Sequence, residues 1–235
     1  MWSGPRNLST AMMRSFGNRA DCAVADEPFY AAYLALTGAD HPMGDEILRH
    51  HVTDWRKVAS DLSGPAPLGR QVFYQKHMTH HMVPEIGREW MRNCRHAFLI
   101  RHPARVLASY ASKREAVTLA DIGFVEQVEL FERAAEIEGK APPVVDADRL
   151  LMDPERMLRM LCGALGIPFD ERMLSWEPGS RPSDGVWGSH WYDAVNRSNG
   201  FGSPAEMPAL PDGPLKAVEA RALPLYERLS SLALV

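Results

Sequence analysis

Short runs of hydrophobic residues alternate along this chain with longer stretches in which apolar positions recur every three or four residues. The short runs are typical of buried strands, and they cover Cys22–Ala25, Val72–Gln75, Ala97–Ile100 and Val144–Ala147. The longer stretches predict amphipathic helices, which begin near Ser9, Phe124, Asp153 and Pro214. This alternation predicts an α/β fold of three layers (αβα) around a central, mainly parallel sheet.

Two parts of the chain depart from this alternation. Residues 31–65 are helical in pieces, because His41-Pro42 and Gly64-Pro65 interrupt the helical pattern. Residues 176–214 are rich in glycine, proline, serine, tryptophan and asparagine. A stretch of this length is too long for a simple connection, so we expect it to form a lid or a binding loop.

Composition narrows the classes of function. The 235 residues carry a formal net charge of −4, which argues against general nucleic-acid binding, although a local arginine cluster can still hold a small anion. The three cysteines lack metal-type spacing, so we expect reduced thiols, a cytoplasmic setting and no metal. Because no apolar run approaches the length of a membrane span, we expect no membrane association.

The stretch 2–10 predicts a turn that opens a helix. Gly4-Pro5 breaks regular structure, and Ser9-Thr10 suits a helix start. A helix N-terminus attracts phosphate, and Arg6 adds a positive charge, so we interpret the stretch as an anion-binding loop. An ordinary helix cap is the alternative, and the Walker A pattern is absent. Such a loop normally follows a buried strand, but only Met1 and Trp2 precede this one.

Two carboxylates follow the first predicted strand. Ligands in open α/β sheets lie beyond the carboxyl ends of the strands, so Asp26 and Glu27 are placed to face a substrate. The alternative is a solvated loop in which Glu27 caps the next helix.

A cluster of basic side chains lies at the end of the second predicted strand. Lys76, His77, His80 and His81 fall within six residues at its end. A histidine here could act as a general base, since histidine titrates near neutral pH. The alternative is that His80 and His81 cap a helix or cover the surface.

The third predicted strand ends in Arg101, and the next helix carries Arg105 and Ser109 on one face. Guanidinium groups bind phosphate through paired N–H groups, so these side chains suit an anion. A buried structural arginine and a small packing serine are the alternative. The stretch 176–214 adds aromatic and cationic side chains that suit a flat base and an anion: Arg181, Trp187, His190, Trp191, Tyr192 and Arg197.

Together these motifs resemble the sulfotransferase family that uses 3′-phosphoadenosine 5′-phosphosulfate (PAPS). The residues Pro5-Arg6-Asn7-Leu8-Ser9-Thr10 occupy the frame of that family's Pro-Lys-Ser-Gly-Thr-Thr loop. Arg101-His102-Pro103-Ala104-Arg105, with Ser109, fits its Arg-Asp-Pro-Arg motif and the serine eight residues after the first arginine. The segment from Val144 to Met173 and the stretch Gly185-Val186-Trp187-Gly188 resemble its later strand, helix and cofactor loop. The resemblance spans most of the chain and implies a single domain, 1–235, with P-loop-like architecture.

The resemblance also implies roles for the matched residues. Arg6, Asn7, Ser9 and Thr10 would hold the 5′-phosphosulfate, and Arg101 and Ser109 the 3′-phosphate. Further cofactor contacts would come from Arg181, Trp187 and Arg197.

On the acceptor side, the family's catalytic histidine stands in a Lys-Thr-His-like context, which Lys76-His77-Met78 matches with an offset of one residue. The choice between His77 and His80 therefore stays open. The acceptor pocket would be lined by Asp26, Glu27, Tyr30, His81 and Trp191.

This chain departs from the family at two places. Arg6 stands where the family has its loop lysine, and Ser183 and Asp184 stand where an Arg-Lys pair precedes Gly185. Arg6 keeps the positive charge but lacks the point-charge geometry of a lysine.

The expected reaction is in-line sulfonate transfer from PAPS to a hydroxyl or amine of a small molecule. Arg6 and Lys76 would stabilise charge, and a histidine would remove the acceptor proton. The alternatives are a nucleotide-dependent kinase on the same fold, a non-catalytic binding module and a purely structural protein. The leucine-rich face of the last helix could serve a homodimer.

Overall fold

A computed structural model describes residues 1–111 and 117–235. The strands that it contains in these ranges are β1 (Trp2–Ser3), β2 (Cys22–Asp26), β3 (Val72–Met78), β4 (Phe98–Ile100) and β5 (Val144–Asp146). They form one sheet in the order β2-β3-β1-β4-β5, and every pairing is parallel. The predicted α/β architecture with a parallel sheet is confirmed.

Helices connect these strands. Those before β4 are α1 (Ser9–Gly17), α2 (Tyr30–Thr37), α3 (Gly44–His50) and α4 (Trp55–Ser63). Between β4 and β5 lie α5 (Pro103–Ala111), α6 (Leu119–Ile122) and α7 (Phe124–Glu138). After β5 come α8 (Ala147–Met152), α9 (Pro154–Leu165), α10 (Gly188–Trp191), α11 (Asp193–Asn196) and α12 (Pro214–Ser230). Short 3₁₀ turns cover Pro67–Gly69, Thr79–His81, Glu89–Asn93 and Glu171–Leu174.

The first strand is short, yet it lies at the centre of the sheet. Trp2 pairs with His77 of β3 on one side and with Phe98 of β4 on the other. The loop of residues 4–8 therefore does follow a buried strand, of two residues. Two residues suffice here because both neighbouring strands hold them in register.

The two faces of the sheet are covered by different helices, as a three-layer fold requires. Successive side chains of a strand point to opposite faces. Leu99 of β4 accordingly packs with α1 and α9, whereas Phe98 and Ile100 pack with α4 and α7. All three side chains are fully enclosed, so the centre of the sheet is dry on both sides.

Replacing Leu99 with alanine should destabilise the protein by about 2–5 kcal/mol, because it leaves a cavity at a fully enclosed position. Leu68→Ala is the matched control, since Leu68 is 89% exposed. Denaturant unfolding measures both. Equal losses for the two variants would contradict the assignment of Leu99 to the core.

Candidate active site

The loop between β1 and α1 presents backbone donors. Leu8 occupies the N-cap position of α1 with a φ of 64°, and its side chain makes no capping hydrogen bond. The first N–H groups of an uncapped helix lack partners and attract anions. Ser9 and Thr10 follow within the first turn and line a cavity of about 290 Å³. This geometry disfavours the ordinary-cap alternative.

The loop is bound to the end of β4. Asn7 is fully buried, and its Nδ2 donates to the Leu99 carbonyl over 3.2 Å. The Gln127 Nε2 of α7 donates to the same oxygen over 3.0 Å, and the Arg101 guanidinium donates to the Arg6 carbonyl over 2.9 Å. Asn7 is not part of the cavity wall. Its place in the structure is that of an anchor for the loop, rather than the predicted contact to PAPS.

Arg6, Arg101 and Ser109 meet at the cavity wall, although nearly a hundred residues separate them. The Nε of Arg6 donates to Ser109 Oγ over 2.9 Å. Neither arginine forms an ion pair with any described residue, and the Arg101 Nε is buried without a hydrogen-bond partner. Burial lowers the pKa of both arginines, which registers the cost of holding unpaired charge there. An anion in the cavity would relieve that cost.

Arg105, by contrast, points away from this cluster. Its Nε donates to Asp148 Oδ2 over 2.8 Å, and its other nitrogens donate to the carbonyls of Ala205 and Glu206. It therefore ties α5 to the segment after α11 and is not part of the cavity wall.

A buried charge cluster forms another part of the wall. The Lys76 Nζ lies 2.9 Å from Asp26 Oδ1, 2.7 Å from Glu27 Oε1 and 2.5 Å from the Tyr192 hydroxyl oxygen. Burial by itself lowers the pKa of Lys76, but the two carboxylates outweigh it and raise that pKa. Because the three N–H groups of Lys76 are all engaged, its charge is directed to these carboxylates rather than to the predicted sulfonate.

Of the two predicted carboxylates, only Glu27 reaches the cavity. Asp26 is held by Lys76, by the Tyr192 hydroxyl at 2.8 Å and by the Gly185 N–H at 3.0 Å. It is not among the cavity-lining residues. The expectation that Asp26 faces a substrate is corrected, because these bonds commit it to the interior.

The predicted histidines separate. His80 and His81 line the cavity together with Tyr30 and His41. His77 lies on the other face of β3, stacked on Trp2 with ring centroids 4.5 Å apart, and its Nε2 lies 3.2 Å from Gln75 Oε1. The strand runs on to Met78, so its alternation turns Lys76 and Met78 toward the cavity and His77 away. His77 is therefore not placed to act on a molecule in this cavity.

The stretch 176–214 closes over one side of the cavity, and Trp191 lines it as predicted. Three other predicted contacts lie elsewhere. Trp187 is buried in the core and donates to the Tyr192 hydroxyl over 2.9 Å. Arg181 donates to the Glu177 carbonyl, and Arg197 is exposed. Neither arginine lines the cavity, so the predicted cofactor contacts are not seen at Arg181 or Arg197.

The stretch 176–214 is held in place by residues that the sequence analysis did not assign to the site. Both terminal nitrogens of Arg14 on α1 contact the Asp184 carboxylate, at 2.5 and 2.7 Å, and one reaches Asn196 Oδ1 at 3.1 Å. The ion pair is almost completely buried, with side chains 2% and 7% exposed. Nothing in the sequence pairs Arg14 with a carboxylate 170 residues away.

Comparisons with known proteins identify the family of the chain. A family model described as the sulfotransferase domain matches residues 1–233. The chain belongs to the sulfotransferase domain family. The family resemblance inferred from the loop and from the motif that begins at Arg101 is thus confirmed.

Solved structures and curated relatives add detail to this assignment. The sulfotransferase domain is similar in fold to the "Sulfotransferase Domain from the Synechococcus PCC 7002 Olefin Synthase", with a TM-score of 0.54, 16% identity and coverage of 97% of this chain and 92% of that one. The "Sulfotransferase Domain from the Curacin Biosynthetic Pathway" has a TM-score of 0.51 and 11% identity, covering 94% of this chain and 95% of that one.

Two Arabidopsis thaliana proteins are each 39% identical to this chain. They are named "Branched-chain-amino-acid aminotransferase-like protein 1" and "2". The matches cover 98% and 88% of this chain but only 41% and 36% of those proteins. The chain thus spans about two fifths of the length of these curated relatives.

Within residues 1–111 and 117–235, no helix is both long and apolar enough to cross a membrane. In the same ranges no three side chains of histidine, cysteine, aspartate or glutamate gather as metal ligands would.

Asp184→Asn should destabilise the protein by about 3–5 kcal/mol, because it leaves the Arg14 guanidinium buried without a counter-charge. Asp61→Asn is the control, since the exposed pair of Lys57 and Asp61 should contribute less than about 1 kcal/mol. Denaturant unfolding of both variants measures the difference. An Asp184→Asn protein as stable as the control would show that the ion pair does not hold the late stretch.

Proposed function

We propose that this sulfotransferase domain transfers a sulfonate group from PAPS to a hydroxyl or amine of a small-molecule acceptor. The observation that carries the proposal is that Arg6 and Arg101, which form no ion pair with a described residue, lie beside the start of α1 in one cavity. PAPS carries two separate anionic groups, so it would occupy both of these features.

The residues of the cavity suit the donor. The N–H groups and hydroxyls of Ser9 and Thr10, with the guanidinium of Arg6, would hold the 5′-phosphosulfate. Arg101, whose Nε has no partner, and Ser109 would hold the 3′-phosphate. When bound, PAPS supplies the activated sulfonate and a stable phosphate leaving group.

The acceptor would lie at the other part of the cavity. Tyr30, Trp191 and Tyr192 give this part aromatic walls, and Glu27, His80 and His81 give it polar groups. A small molecule with a flat or apolar body and one nucleophilic group matches such a lining.

The alternatives receive less support. A P-loop kinase would need a loop lysine and metal-binding aspartates, whereas the loop carries Arg6, and Asp26 is committed to Lys76. An aminotransferase needs a lysine free to form a Schiff base. Among the described residues, Lys76 is the lysine that lines the cavity, and its N–H groups are all engaged. We therefore do not propose aminotransferase activity for this chain.

Calorimetric titration with 3′-phosphoadenosine 5′-phosphate tests the donor site. We expect micromolar binding to the wild type, and Arg101→Ala should weaken it by about 10- to 100-fold, because charged hydrogen bonds to the 3′-phosphate are lost. Arg172→Ala is the matched control, since Arg172 is paired with Asp170 away from the cavity.

AMP, which lacks the 3′-phosphate, should bind weakly to the wild type and equally to Arg101→Ala. A preference for ATP with magnesium over the bisphosphate would contradict the proposal and favour a kinase. Binding of the bisphosphate without any transfer of sulfonate would favour a non-catalytic binding module.

A further inference from the structure

Two residues of the loop between β1 and α1 have a strained backbone. Arg6 and Leu8 have φ values of 62° and 64°, in the left-handed region that residues with a side chain rarely adopt. Such conformations persist only where the surroundings hold them in place. Asn7 lies between these two residues and is fully buried. The contacts that hold Asn7 therefore help to fix where the Arg6 guanidinium and the first N–H groups of α1 point.

The carbonyl that holds Asn7 has a second donor, from a helix far along the chain. Leu99 O accepts from Asn7 Nδ2 over 3.2 Å and from Gln127 Nε2 over 3.0 Å. Because a carbonyl oxygen can only accept, both amides must turn their nitrogen atoms toward it. Gln127 lies on α7, is fully buried and is not part of the cavity wall. Its connection to the loop of residues 4–8 is therefore indirect, through this one carbonyl oxygen.

The backbone of Gln127 continues the series of hydrogen bonds toward the other half of the cavity. Its N–H donates to the Gly123 carbonyl over 3.0 Å. Thr79 Oγ1 donates to the same oxygen over 2.8 Å, and Thr79 begins the 3₁₀ turn Thr79–His81. A continuous chain of buried hydrogen bonds thus joins the loop of residues 4–8 to this turn, and Gln127 is its central member.

Close packing at both ends of this chain leaves little room for movement. A Cβ atom on Gly4 would lie 2.5 Å from the Ile122 carbonyl oxygen. A Cβ atom on Gly123, whose φ is 64°, would lie 2.5 Å from Thr79 Oγ1. Both distances are too short for a real side chain, so glycine is required at the two positions. The segment 122–127 therefore packs directly against the loop and against the turn.

Stability of the fold does not account for the amide of Gln127. Its Oε1 atom is buried without a hydrogen-bond partner among the described residues, and so is Asn7 Oδ1. A buried polar atom without a partner costs free energy, which offsets the hydrogen bond that the amide nitrogen makes. An apolar side chain of the same size would pack at this position at little cost. What the amide adds is a fixed position for the Leu99 carbonyl.

We propose that Gln127 is a positioning residue, which fixes the loop of residues 4–8 and the turn Thr79–His81 relative to one another. The inference rests on the proposed function, because the loop would hold the donor, and His80 and His81 of the turn line the part of the cavity assigned to the acceptor. In-line transfer requires reacting atoms about 3–3.5 Å apart, and a misplacement of about 1 Å can cost about 100-fold in rate. A rigid connection between the two halves supplies this precision.

Calorimetric titration with 3′-phosphoadenosine 5′-phosphate tests the loop end of the chain. Gln127→Met keeps the size of the side chain but removes the donor, while Leu99 O keeps its bond from Asn7. We expect binding to weaken by about 3- to 10-fold, the share of one hydrogen bond, with no fall in the midpoint of denaturant unfolding. The matched control is Gln75→Met, because Gln75 is also buried and donates to the Leu62 carbonyl over 2.8 Å, outside the cavity wall. It should bind the bisphosphate within about twofold of wild type.

Hydrogen exchange in the turn tests whether the chain connects the two halves. The N–H groups of Met82 and Val83 donate to carbonyls of the turn, so their exchange reports its opening. Saturating bisphosphate should slow this exchange in the wild type and in Gln75→Met, because the chain carries the ordering of the loop to the turn. The slowing should be absent in Gln127→Met, in which the loop end of the chain is broken.

Thr79→Val breaks the same chain at its other end. It removes one donor to the Gly123 carbonyl, which keeps its bond from the Gln127 N–H. Slowing by the bisphosphate should be absent in this variant too, although its affinity for the bisphosphate should stay within about twofold of wild type. Thr79→Ser, which restores the hydroxyl, should restore the slowing.

The outcomes distinguish this inference from the proposed function. Weaker bisphosphate binding in Gln127→Met, with unchanged stability and with the slowing lost in both chain variants, supports it. Absence of slowing in the wild type, or slowing that persists in either chain variant, overturns it and leaves the donor site standing. Gln127→Met binding within about twofold of wild type, or a fall in its unfolding midpoint, overturns it as well, since Gln127 would then serve only the fold. Failure of the wild type to bind the bisphosphate overturns the proposed function itself.

Discussion

The buried ammonium of Lys76 is the constraint on which the cavity depends. Removing such a charge from water costs several kcal/mol, and only close partners repay it. The partners are Asp26 and Glu27 at the end of β2 and Tyr192 between α10 and α11. Because the end of β2 and Tyr192 must meet at the Lys76 Nζ atom, burial of this one charge holds the stretch 176–214 against the edge of the sheet.

The same constraint divides the cavity into two chemical halves. Near α1 the charge is positive and unpaired, since Arg6 and Arg101 have no acidic partner among the described residues. Near β2 the lysine charge is already compensated, so what reaches the cavity is one carboxylate oxygen of Glu27. An anion is favoured in the first half and a proton donor in the second. This separation suits the transfer of an anionic group to a neutral acceptor, the reaction that we propose.

Sequence patterns predicted the fold and the meeting of the arginines in one cavity better than they predicted the part of the cavity near β2. Strand ends and motif spacing identify Arg6, Arg101 and Ser109, because these features depend on local order along the chain. The register of β3 does not depend on local order alone. The strand continues to Met78, and a shift of one residue in its register decides whether His77 faces Trp2 or the cavity. The commitment of Asp26 to Lys76, and of Asp184 to Arg14, depends on long-range packing that no local pattern records.

The loop and the third strand end form one unit although they are far apart in sequence. Pairing of β1 with β4 places residues 4–8, which include Arg6, beside Arg101. Arg101 holds the Arg6 carbonyl, and Ser109 on α5 holds the Arg6 guanidinium. A lysine could not make this directional Nε contact, since its ammonium is a point charge on a flexible stem. The arginine at this loop position is therefore matched to its neighbours, and the positive charge that the family places there is kept in a fixed orientation.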